Sequence, residues 1–125
     1  LGNVHCMARF VGAFFHVSHG LSNAICLPYA AEFNLIANPQ KYARVALAMG
    51  ENIQGMTELE AAGKALDAIK RLCRDLGIPE KLRDIKATED KLPELAKLCA
   101  EAGYNRWNPR HSTYHDFLGL FQKAY

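Results

Sequence analysis

The stretch GNVHCMARFVGAFFHVSHGLSNAICLP, from Gly2 to Pro28, carries the reading of the whole chain. Val4, Met7, Ala8, Val11 and Phe15 recur at three- and four-residue spacing, and Phe10 and Phe14 widen the apolar face. This predicts a buried helix over about residues 2–15, with little of it facing water. His16-Val17-Ser18-His19-Gly20 breaks the pattern. A second helix is then expected from about Leu21 to Phe33, kinked at Pro28 because proline brings no N–H to the helical ladder.

Further along, Asn38-Pro39 marks a turn, and Tyr42, Val45, Ala46 and Met49 give helical periodicity over about 40–49 until Gly50 ends it. The best-defined helix runs from Thr57 to about Leu76. Thr57 and Glu60 form a capping box, Leu59, Ala62, Leu66, Ile69 and Cys73 make the apolar stripe, and Gly77-Ile78-Pro79 supplies the stop. Shorter helices are expected at about 80–85, at 92–102 with Leu95, Leu98 and Cys99 inward, and at 114–124 with Thr113 and Asp116 as the cap. No run alternates with a period of two. The fold class is therefore all-α, a single-domain bundle of six or seven short helices.

Composition narrows the function classes. The chain has 125 residues, half of them hydrophobic and 22% charged, with a formal net charge of +2. Such a chain can bury a core unaided. Basic residues are interspersed with acidic ones from Lys41 to Lys97, which argues against a nucleic-acid partner. The longest apolar stretch, Phe10 to Phe15, is far short of the roughly 20 residues that span a bilayer, which argues against a membrane role. Cys6, Cys26, Cys73 and Cys99 are widely spaced with no CxxC pair, so they read as small buried hydrophobes in a reducing cytoplasm rather than as a zinc site or disulfide framework. Leu1 in place of an initiating Met, followed at once by large apolar residues, is expected of a chain that continues from a larger protein.

Each of the five histidines has an ordinary reading. Taken alone, His5 is a hydrogen-bonded core residue and His19 a polar turn residue. Together they are 14 residues apart, and a helix followed by a reversing turn would bring the second back toward the first. Two imidazoles could then converge on a metal, although protein sites usually supply three or four ligands and no Asp or Glu stands at a companion position. His111 and His115 have the four-residue spacing of a helical metal pair. The last helix starts between them, so they read as surface residues near a cap, and His16 as facing solvent.

The pattern of the stretch from Gly2 to Pro28, with two histidines 14 residues apart followed by Gly20, Asn23 and Leu27-Pro28, resembles the signature of the iron-containing alcohol dehydrogenases. The resemblance continues through Glu32-Phe33-Asn34, Ala48-Met49-Gly50, Leu76-Gly77-Ile78-Pro79 and Asn108-Pro109-Arg110, and so covers essentially the whole chain. It implies the helical, metal-binding C-terminal domain of a two-domain enzyme. The N-terminal α/β half, which binds NAD or NADP, would lie outside residues 1–125. It also implies a divalent metal, usually Fe²⁺ with Zn²⁺ or another ion as alternatives, held by one Asp and three His. His5 and His19 match the last two histidines of that set. The metal would act as a Lewis acid on the oxygen of a small alcohol or aldehyde while the nicotinamide carries the hydride.

The departures from the family pattern are specific. Where many members have a further His four residues after the first, near the nicotinamide, this chain has Arg9, a candidate cofactor-binding residue that cannot replace imidazole in a proton relay. His16 replaces a frequent Asp, and Val17-Ser18 the usual residues before the second histidine. The competing reading is a stand-alone helical interaction module with structural histidines and no catalysis. On the leading reading, residues 1–125 alone expose one wall of a cleft and are expected to self-associate. A sedimentation profile that stays monomeric at high concentration would count against this.

Overall fold

The computed structural model describes residues 1–125, and the chain is helical throughout with no strand. Six α-helices follow in order: α1 (Gly2–Phe15), α2 (His19–Leu35), α3 (Pro39–Ala48), α4 (Glu58–Asp75), α5 (Leu92–Glu101) and α6 (Tyr114–Ala124). The segment expected as a helix at 80–85 is a 3₁₀ turn at Leu82–Ile85, and two more such turns, Glu89–Lys91 and Tyr104–Trp107, carry too few residues to show any periodicity.

The local signals work where they are chemical. Thr57 accepts from the Glu60 N–H while the Glu60 carboxylate accepts from the Thr57 N–H, closing the expected box on α4. Thr113 and Asp116 do the same for α6. Asn38 caps α3 by accepting from the Lys41 N–H, with Pro39 in the first turn.

Packing divides the bundle into two clusters joined by α2. The larger gathers Cys6, Met7 and Val11 of α1, Ile25, Cys26 and Ala30 of α2, Leu95, Ala96 and Cys99 of α5, and Phe117, Leu120 and Phe121 of α6. The smaller holds Ala31 and Leu35 of α2 against Ala62 and Leu66 of α4, with Tyr42 and Ile69 at its edge. Here the expected stripe on α4 is corrected. Leu59 is 54% exposed, because it projects past this cluster, and the buried face is made of Ala61, Ala62, Ala65, Leu66 and Ala68. Small side chains let helices approach closely. On α3 the expected Val45 and Met49 are exposed and Ala46 alone is buried, for the same reason.

Helix α2 runs unbroken through the buried Pro28. The ring removes the donor that the Ala24 carbonyl would otherwise receive. The thiol of Cys73 on α4 lies 3.9 Å from that oxygen and takes part of the missing role. Cys73 is accordingly half-buried rather than a core residue, whereas Cys6, Cys26 and Cys99 are buried as expected. Burial pushes the Cys26 thiol up to about 12 and raises Cys99 as well, so both behave as small apolar groups.

The amide of Asn108 ties the start of α1 to the end of α2. Its Oδ1 accepts from the Asn3 N–H at 3.1 Å and from Asn34 Nδ2 at 3.0 Å, and its Nδ2 donates to Asn34 Oδ1 at 2.7 Å. Asn3 Nδ2 in turn donates to Ser112 Oγ at 2.6 Å. Arg110 donates to the Phe33 carbonyl and stacks 3.8 Å over the Phe33 ring. Gly2, with φ +67°, lets Asn108 come this close, since a Cβ there would stand 3.0 Å from Oδ1.

Two outcomes follow for stability. Asn108→Ala orphans the Asn3 N–H and the Asn34 amide and should cost roughly 2–3 kcal/mol in a denaturant titration. The α6 cap is pH-dependent. The Thr113 N–H donates to the Asp116 carboxylate and holds it below the ordinary carboxylate range. A carboxyl whose folded value is lowered stabilises fully above its unfolded value of about 4 and loses that contribution as pH falls through the folded value. Asp116→Asn should therefore flatten the acid limb of a stability-against-pH curve.

Candidate functional site

The first two helices reverse on residues 16–18, and this reversal brings the histidines together. His16 terminates α1 in the left-handed region, with φ 56° and ψ 41°, a conformation that histidine adopts more readily than most residues. Its N–H and that of Val17 both return to the Gly12 carbonyl, the latter at 3.3 Å. Helix α2 then opens at His19, two residues earlier than periodicity suggested. His16 is exposed, as expected, but it shapes the turn as well.

Gly12 sets how tightly the turn can close. A Cβ at this position would stand 3.0 Å from the Val17 carbonyl oxygen and 3.4 Å from Ser22 Oγ. The first of these neighbours is backbone and cannot simply rotate away. Ser22 is buried and donates to the Ser18 carbonyl at 3.0 Å, which fixes the first turn of α2 against α1.

Across this hairpin the rings of His5 and His19 lie with centroids 5.5 Å apart and planes tilted by 51°. With a metal–nitrogen bond of about 2.1 Å and near-tetrahedral angles, two imidazoles on one ion have centroids roughly 5–6 Å apart. The pair therefore fits two positions of a divalent ion. Residues 1–125 contain no group of three or more His, Cys, Asp or Glu able to hold one. His111 and His115 are both exposed, and His115 stacks edge-on against Tyr114.

Asn23, quoted in the sequence pattern without a role, is the residue that positions His19. One turn along α2, its Nδ2 donates to the His19 carbonyl at 2.9 Å and lies 3.0 Å from His19 Nε2. The opposite amide orientation would set the Asn23 oxygen against the His19 carbonyl oxygen, so the nitrogen faces the histidine. Asn23 Oδ1 is buried without a partner, the cost of holding this orientation. The His-x-x-x-Asn spacing was the available signal.

Arg9 lies one turn beyond His5 on α1, exposed, with Nη1 3.4 Å from the Tyr104 hydroxyl and its guanidinium 5.5 Å from the Phe10 ring centre. The 104–107 turn packs on α1 and adds Arg106, stacked 4.0 Å over a Trp107 that is 56% exposed.

An all-helical bundle with a paired-histidine hairpin defines a class, and the comparisons give it a family. Residues 1–125 match the C-terminal part of the Fe-containing alcohol dehydrogenase family, and the chain belongs to that family. It is 43% identical over its full length to the 1,3-propanediol dehydrogenase of Klebsiella pneumoniae and 38% identical to the lactaldehyde reductase of Escherichia coli (strain K12). It covers 32% and 33% of these proteins, and so spans about a third of their length. The NAD-dependent methanol dehydrogenase of Bacillus methanolicus is 32% identical over 124 residues, 99% of this chain and 32% of its own. Among solved structures, a 1,3-propanediol oxidoreductase superposes with a TM-score of 0.97 at 43% identity, over all of this chain and 33% of the other. An alcohol dehydrogenase from Oenococcus oeni gives 0.95 at 40%, with the same coverage.

Helix propensity alone would make Gly12→Ala stabilising by about 1 kcal/mol. The approach of the Val17 carbonyl predicts the opposite sign, a net loss of roughly 1–3 kcal/mol as the turn is forced apart. Thermal unfolding of the variant checks the sign directly.

Proposed function

We propose that the intact protein is a metal-dependent alcohol dehydrogenase that interconverts a small alcohol and its aldehyde or ketone with NAD or NADP. The single observation behind this reading is the convergence of His5 and His19 at a spacing that suits two ligands of one ion, in a chain of the Fe-containing family. The ion would be Fe²⁺, with Zn²⁺ or another divalent metal as alternatives. The remaining ligands, one Asp and one His by the family resemblance, and the dinucleotide-binding α/β domain would be supplied by residues outside 1–125. A cytoplasmic protein fits this chemistry, and no helix of the chain is long and apolar enough to cross a membrane.

When bound, the divalent ion supplies Lewis acidity at the substrate oxygen and the nicotinamide accepts or returns the hydride. The chain's own residues prepare the place. His5 and His19 would each offer a nitrogen lone pair, and Asn23, bonded to the His19 carbonyl and 3.0 Å from Nε2, steadies the ring from one turn along α2. A cation taken by Nε2 would displace the amide. Arg9, by its family position beside the nicotinamide, would line the cleft and contribute fixed charge rather than a proton. The self-association expected of residues 1–125 would follow from baring this cleft wall.

The test is metal analysis of the full-length enzyme. His5→Ala and His19→Ala should each lower bound iron or zinc after dialysis by about tenfold or more and remove most alcohol-dependent NAD(P) reduction. Asn23→Ala, which removes a competitor for Nε2 but also loosens the ring, should change metal binding far less than loss of either histidine. Residues 1–125 alone, holding two of four ligands and no dinucleotide fingerprint, should bind metal weakly and show no dehydrogenase activity. Stoichiometric metal in a variant lacking both histidines would sink the reading and favour a helical interaction module with structural histidines.

A further inference from the structure

No carboxylate of residues 1–125 joins His5 and His19 in a group able to hold a metal. No Asp or Glu occurs before Glu32, so α1 and the first three turns of α2 carry none. Residues 102–115, which include the 104–107 turn against α1, carry none either. The 13 acidic residues of a nearly neutral chain lie from Glu32 onward and outside 102–115, while α1 carries Arg9 and the turn packed on it Arg106. Both ion pairs of the structure lie outside these segments: Arg71 with Glu51, and Lys91 with Glu94. The exposed guanidinium of Arg9 makes one long hydrogen bond, to Tyr104, and leaves the rest of its donors unused.

Four residues separate Arg9 from His5, about 6 Å along the axis and on the same side of α1. A guanidinium this close to a site for a divalent ion raises the local positive charge, and one carboxylate ligand from elsewhere would not neutralise the sum. Such a site favours an occupant that brings its own negative charge. Resting on the dehydrogenase reading above, we propose that Arg9 is a specificity-determining residue that binds a carboxylate carried by the alcohol or aldehyde substrate. The planar fork of donors suits bidentate contact with a carboxylate, and the reacting carbon would lie a few bonds away, toward His5. The substrate class is thus a short hydroxy acid and the corresponding oxo acid rather than a neutral alcohol.

The test uses the full-length, metal-loaded enzyme with 4-hydroxybutanoate and 1-butanol as matched probes. The expected wild-type kcat/KM is higher for the hydroxy acid by at least about tenfold, the range of a charge-assisted contact. Arg9→Gln should collapse that ratio, chiefly through KM for the acid, and Arg9→Lys should restore part of it. Added salt should lower the ratio as well. A ratio unchanged in Arg9→Gln overturns the proposal, as does a wild-type preference for 1-butanol. If Arg9→Gln instead raises KM for the dinucleotide while the ratio holds, the anion is a cofactor phosphate and the proposal falls. Calorimetric binding of butanoate gives a readout independent of turnover. Its loss in Arg9→Gln supports the carboxylate site even if neither alcohol is oxidised, an outcome that would count against the dehydrogenase reading alone.

Discussion

The approach of α1 to α2 at Gly12 is the constraint on which the site depends. A glycine in the middle of a helix ordinarily weakens it. Here the missing side chain lets the Val17 carbonyl fold back over α1 and lets the turn at His16 close on the Gly12 carbonyl, so that α2 starts within reach of His5. With that reversal fixed, His19 can stand opposite His5 at 5.5 Å although neither ring is fastened to the other. The geometry of the pair is a property of the backbone hairpin. Imidazoles that meet only on metal binding would have to lose that freedom at the moment of binding, and a preformed hairpin has already lost it in folding.

The hairpin is held at its far end by polar contacts and along its length by apolar ones. Asn108 joins the beginning of α1 to the end of α2 through amide hydrogen bonds, so its interactions are directional in a way that packing is not. The apolar cluster of α1, α2, α5 and α6 supplies the bulk of the burial but tolerates small slides of one helix on another. Directional bonds at Asn3, Asn34 and Asn108 resist those slides. The family pattern Asn108-Pro109-Arg110 thus has a structural basis near the site: Asn108 fixes α1 and Arg110 fixes the Phe33 carbonyl of α2.

Much of the fold was legible because its signals are local. Thr57 with Glu60 and Thr113 with Asp116 announce helix starts within four residues, and the large side chains of α1 and α5 recur at helical spacing. The failures have a common cause. Leu59 looked as though it belonged to the α4 stripe, but where a stripe meets its partner depends on how far that partner extends, which periodicity does not encode. Asn3, Asn34 and Asn108 are polar residues that find each other across 74 to 105 positions. Nothing local marks such a pairing. The histidine spacing could suggest convergence, since 14 residues fit a helix and a turn, but the role of Asn23 emerged only when the ring and amide were placed together.

The division of the site follows from these facts. Two imidazoles with no third ligand from residues 1–125 make a poor cage for a dication. On the proposed reading the half-site alone would be weak in affinity, and charge would arrive from the rest of the protein, the substrate, or both. An anionic ligand supplied by a separate domain would make metal affinity sensitive to domain closure. Fixed cations on the helical side make the same closure sensitive to what occupies the cleft. A neutral side chain in place of Arg9 would remove the second dependence and leave the first. On the proposed reading, the guanidinium one turn from His5 would link the hairpin to the choice of substrate.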